Sequence, residues 1–187
     1  MPGESAVAPT AGLDHLLQAA AWGATALGAA FAAVQLWRQA RQARASFLLE
    51  LYRQWETLYD ERVALHELRA ACEDEVLRHF AKLSDRERQE VLKEVARGEL
   101  TRMETDPARS DEYQKLLRLL GFFEHVGLMA RCRYVRLADV DGLLRGPILM
   151  ADALTRRHIG DLQARSGVPT GLYENFLFLA DRTAGSG

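Results

Sequence analysis

The stretch "AWGATALGAAFAAVQLWRQARQAR", residues 21–44, decides how this chain is read, because it is either a membrane anchor or a helix buried in a bundle. From Leu16 to Trp37 there is no charged residue, and of these 22 positions only Gln18, Thr25 and Gln35 are clearly polar. About 20 such residues in a helix span a hydrocarbon core. A surface helix would show a polar stripe at a period of about 3.6 residues, and apart from Thr25 none runs between Gln18 and Gln35. A helix that is apolar on all sides has to be covered by protein or by lipid. Eleven of the 22 residues are Ala or Gly, so insertion is less favourable than for a Leu-rich span.

The charges around the run favour lipid. The preceding segment carries Glu4 and Asp14 and neither Lys nor Arg, unlike the positive opening of a secretory signal peptide, so no cleavage is expected. The arginines come afterwards, at Arg38, Arg41 and Arg44, with Arg53 beyond. The positive-inside rule then puts the N-terminus outside and everything after residue 38 in the cytoplasm, in a single pass of the plasma membrane. Trp37 falls where an interfacial aromatic belongs, and the three arginines are placed for contact with anionic headgroups. The expected organisation is an N-terminal tail over 1–13, a transmembrane helix over 14–37, a cytoplasmic all-α bundle over 38–180 and a flexible tail over 181–187.

Ala20, Ala24, Gly28 and Ala32 recur every four residues, lining one helix face with small side chains that let a second helix approach closely. The expected partners are therefore the lipid bilayer and either another copy of the chain or another membrane protein. The alternative is a soluble all-α protein that uses the first helix as an oligomerisation seam.

With 187 residues, 48% hydrophobic and 27% charged, the chain can build one core plus an appended element and is not of disordered composition. A formal net charge of −2 and the lack of a basic stripe or nucleic-acid motif exclude nucleic acid as a partner. Cys72 and Cys132 show no metal or redox spacing. They read as buried or half-buried thiols, unpaired if the domain faces a reducing compartment.

No proline interrupts residues 10–106 and no glycine falls between Gly28 and Gly98, so helix should continue well past the apolar run. Leu48, Leu51, Trp55, Leu58, Leu65 and Leu68 recur at helical spacing as one buried stripe, with a turn expected near 59–61 or 73–75. Ser84 and Glu87 form a capping box that opens a polar helix from about Asp85 to Arg97, with Gly98 as its terminator and 99–110 as loop. A helix should begin near Ser110 or Asp111, and "DEYQKLLRLLGFFEHVGLMARC" (111–132) is the expected centre of the core by its apolar content. Beyond it, either two helices meet at Gly146-Pro147 or one helix is kinked there. The last segment offers Leu172, Tyr173, Phe176, Leu177 and Leu179 to the core.

No phosphate-binding loop, nucleophile elbow, zinc-protease helix, dinucleotide fingerprint or calcium loop occurs. No catalytic residue, cofactor, metal or small-molecule substrate is expected. The strongest local candidate is the buried pair Glu124-His125. It can be read as a metal ligand or acid–base pair completed by His66 or His79, or as a structural carboxylate matched by Arg131 or by an arginine of another helix. Neighbouring helical residues diverge by about 100°, which favours the structural reading. His66 and His158 read as solvated residues on helix surfaces.

An uncharged N-terminal helix followed by basic residues, then "FLLELYRQW" (47–55), "LLRLLGFFEHVGLMARCRYVRLADV" (116–140) and "YENFLFLA" (173–180), resembles the bacterial family called domain of unknown function 4760. The match centres on Phe122, Phe123 and Glu124, followed by Gly127. The resemblance implies a single-pass helical membrane protein. It brings no catalytic residue with it.

Overall fold

A computed structural model describes residues 10–80, 82–167 and 171–185, with side chains from residue 29 onward. Six α-helices follow one another: α1 (Thr10–Thr57), α2 (Tyr59–Phe80), α3 (Asp85–Thr105), α4 (Ser110–Arg131), α5 (Leu137–Ser166) and α6 (Glu174–Ala184). No strand occurs among the described residues, so the all-α class stands. The chain divides into two compact units, Met1–Phe47 and Leu48–Gly187.

In the first unit the chain is helical from Thr10, so helix begins inside the segment expected as a tail, whose residues 1–9 lie outside the described ones. The side chains of Ala20, Ala24 and Gly28 also lie outside the described residues. Among the described residues no helix is long and apolar enough to cross a membrane.

The second unit holds the core. The α1 helix breaks at Leu58, where the Leu58 N–H turns back to the Trp55 carbonyl at 3.3 Å, and α2 starts at Tyr59, the earlier of the two expected turns. The Ser84–Glu87 capping box is present in full. Gly98 does not end α3, contrary to expectation. Leu100 and Met103, one turn on, are buried, and burial of two large side chains outweighs the roughly 1 kcal/mol helix penalty of a glycine. The stop comes at Asp106, whose carboxylate accepts the Ala108 N–H at 2.9 Å to start a single 3-10 turn containing Pro107.

The α4 helix opens at Ser110, as expected, and closes in a Schellman arrangement in which the Tyr134 N–H reaches the Met129 carbonyl at 2.9 Å and the Arg133 N–H reaches the Ala130 carbonyl at 3.1 Å. The left-handed position of that motif, usually glycine, is Arg133 with φ 62°. The α5 helix runs without a break through Gly146 and Pro147, so the one-helix alternative holds. Leu144, Ile148 and Ala151 on either side are buried and hold it in place. Gly167, at φ 65°, ends it.

The bundle pairs α4 with α6 and α2, and α3 with α5. Its centre is aromatic: the Phe123 ring stacks on Phe176 at 5.7 Å, and Trp55 sits 5.7 Å from Phe122 and 5.9 Å from Phe123. The segment 111–132 is thus the middle of the core, as its composition indicates. Ion pairs lace α3 to α5 along the outside, joining Arg97 to Asp161 at 2.5 Å, Arg157 to Glu90 at 2.7 Å and Arg165 to Glu104 at 2.7 Å.

Candidate functional site

Glu124 stands on α4 opposite the first turn of α6. That turn has no capping side chain of its own, because Tyr173 precedes it in a left-handed conformation at φ 58°. The missing cap comes from α4. One Glu124 oxygen accepts the Phe176 backbone N–H at 2.8 Å and the other accepts the Asn175 amide at 2.7 Å, so a carboxylate meets the positive end of the α6 dipole. Arg131, two turns along α4, donates to Glu174 at 2.7 Å and to the Asn175 side-chain oxygen at 3.3 Å. Gly127 lies between them, and a Cβ there would meet the Asn175 carbonyl oxygen at 2.1 Å. The two backbones touch at that point.

Glu124 therefore has the structural role, with a partner that differs from the one read in the sequence. It does not pair with Arg131 directly. Asn175 stands between them, donating to one and accepting from the other. His125 points away and is exposed, so the two do not converge. Among the described residues no group of three or more His, Cys, Asp or Glu is arranged to hold a metal ion. Glu124, Gly127 and Arg131 fall on one helix face, a spacing that signals close helix approach and that reading Glu124 with its neighbour His125 obscures.

His158 corrects its sequence reading more sharply. It is 1% exposed, not solvated, with Nε2 2.9 Å from the Tyr113 hydroxyl and 4.0 Å from Glu104. Its Nδ1 has no hydrogen-bond partner among the described residues. Burial pushes its pKa below the ordinary histidine value, with Glu104 opposing, which favours the neutral imidazole. Burial likewise lifts the Tyr113 hydroxyl to about 12. His66 is exposed, as read. Cys72 is buried, its thiol pushed up to about 11 by burial, whereas Cys132 is exposed rather than buried or half-buried. Glu61, which sequence reading passed over, is buried and accepts from Arg118 at 2.8 Å, which holds its carboxyl below the usual range.

An open groove of about 880 Å³ lies between α2, α3 and α5. Val76, Leu92, Leu149 and Leu154 line it, and the Arg69–Glu73 ion pair stands at its edge with Arg69 Nη1 3.6 Å from the Met150 sulfur. No sequence motif marks it, because its lining comes from three helices and each residue alone reads as core.

The residues assigned to the membrane interface all lie on α1. Trp37, Arg38 and Arg41 are exposed, Arg44 is half-buried, and the Arg41 guanidinium sits 5.5 Å over the Trp37 ring. Ala32, the described member of the small-residue ladder, is exposed. No family model, curated protein or solved structure matches the chain.

Proposed function

We propose that this chain is a membrane-tethered helical interaction module with no catalytic role, held to the bilayer by the first part of α1 and presenting its bundle to another protein on the cytoplasmic side. One observation carries the reading. Phe31, Leu36 and Trp37 are 65%, 67% and 61% exposed on a helix whose next three charges are all arginines. An uncovered apolar surface ending in cations fits the boundary between hydrocarbon and headgroups. The likeness to domain of unknown function 4760 belongs to this proposal and implies the same setting. Self-association through Ala20, Ala24, Gly28 and Ala32 is the means by which a span rich in Ala and Gly would gain a neighbour. The groove between α2, α3 and α5 is the surface this reading assigns to the partner protein.

Fractionation with carbonate extraction, combined with a topology reporter on each terminus, tests it. The expected result is retention in the membrane pellet with the C-terminal reporter on the cytoplasmic side. A second reading rests on the finding that no described helix is long and apolar enough to cross a membrane: a soluble protein whose α1 apolar face meets a second copy. Release of the chain into the soluble fraction as an oligomer would select this alternative and sink the anchor.

A further inference from the structure

We infer that Trp37, Arg38, Arg41 and Arg44 form a band that selects bilayers with anionic headgroups, an inference that rests on the tether proposed above.

The argument starts from how arginines are used elsewhere. In the bundle several pair with carboxylates across helices: Arg97 with Asp161, Arg118 with Glu61, Arg131 with Glu174 and Arg165 with Glu104. Arg38 and Arg41 have no carboxylate partner among the described residues, and the sequence offers none nearby, since no Asp or Glu occurs between Asp14 and Glu50. Arg38 and Arg41 thus differ from the paired arginines of the bundle.

The cations are also on one side of the helix. At about 100° per residue, Arg38, Arg41 and Arg44 fall within an arc of about 120° that also holds Val34 and Trp37. Arg41 lies against the Trp37 indole, a cation–π contact that leaves the guanidinium edge free to donate. Guanidinium groups donate in a planar fork that matches phosphate oxygens, and an indole settles at headgroup level.

Charge decides the occupant. A second copy meeting this arc face to face would bring like charges together, which costs free energy. An acidic protein would satisfy the arginines but not the apolar side chains that surround the helix just before them. A bilayer with anionic phospholipid supplies both surfaces at the right spacing, hydrocarbon first and phosphate next.

The test is synthesis of the full chain in a cell-free system containing vesicles, followed by flotation. Vesicles of phosphatidylcholine alone are compared with phosphatidylcholine mixed with phosphatidylglycerol, using the unmodified chain and the combined variant Arg38→Gln, Arg41→Gln, Arg44→Gln. Circular dichroism on both chains checks that the bundle is unchanged. The expected result is stronger recovery with phosphatidylglycerol, reduced in the variant by on the order of a hundredfold in partition and in the unmodified chain by high salt. Equal recovery on both vesicle types, unaffected by the variant, would overturn the headgroup inference and leave the tether standing. Failure to float on either would overturn the tether itself, and this inference with it.

Discussion

Two phenylalanines show how differently the two units use the same chemistry. Phe123 is 0% exposed and lies between Trp55 and Phe176, while Phe31 is 65% exposed. The arginines differ too: Arg97, Arg118, Arg131 and Arg165 pair with carboxylates of other helices, while Arg38 and Arg41 have no carboxylate partner among the described residues. The bundle buries its aromatic centre and pairs many of its arginines with its own carboxylates, while Tyr59, Leu77 and Tyr134 stay exposed on its surface. In the first unit Phe31, Leu36 and Trp37 are exposed beside Arg38 and Arg41, and a surface of that composition has no stabilising role in water.

The contrast breaks most readily at those phenylalanines. Phe123→Ala should cost about 3–5 kcal/mol in urea unfolding followed by circular dichroism, whereas Phe31→Ala should change it by less than about 0.5 kcal/mol. Similar losses at the two sites would erase the distinction between the units. Glycines sharpen it within the bundle. Gly127→Ala forces the α4 and α6 backbones apart and should lower stability by about 1–3 kcal/mol, with a matching fall in Tm. Gly98→Ala, where nothing lies within 4 Å of the added carbon, should instead raise it by about 0.5–1 kcal/mol.

A third test uses pH. His158 faces Tyr113, Glu104, Arg165, Asp161 and Arg97, and its pKa lies below the unfolded value. Its contribution is therefore complete above the ordinary histidine range and is lost as pH falls through the lower folded value, because the unfolded chain takes up the proton first. His158→Gln should flatten that part of the stability profile. An unchanged slope would mean that the buried imidazole does not govern it. A small gain is expected at Arg133→Gly, which removes a side chain from a left-handed position and should stabilise by about 1 kcal/mol.

Helices were legible in the sequence wherever local chemistry writes them. The Ser84–Glu87 box and the start at Ser110 are signals within one or two turns, whereas the break at Leu58 has two candidate sites in the sequence. The centre of the core was legible as well, because 111–132 is apolar at helical spacing. What could not be read depends on residues far apart in sequence. Gly98 looks like a terminator until Leu100 and Met103 are seen to be buried by neighbouring helices. His158 looks solvated beside Arg156 and Arg157, yet those two reach outward to Asp181 and Glu90 while His158 turns inward. Glu124 was visible as an important carboxylate, but its acceptor role was not, since a backbone N–H on another helix has no sequence signature.

The reach of Glu124 to the Phe176 N–H spans 52 residues of chain, and this bears on the order in which the bundle forms. The α6 helix has 11 residues, shorter than the roughly 12–15 at which an isolated helix begins to hold in water, and its first turn carries no start signal of its own. The instruction to begin is stored on α4. The last helix of the chain is therefore conditional: it forms when α4 is already in place, and its amide protection from hydrogen exchange reports on the integrity of a helix it does not belong to.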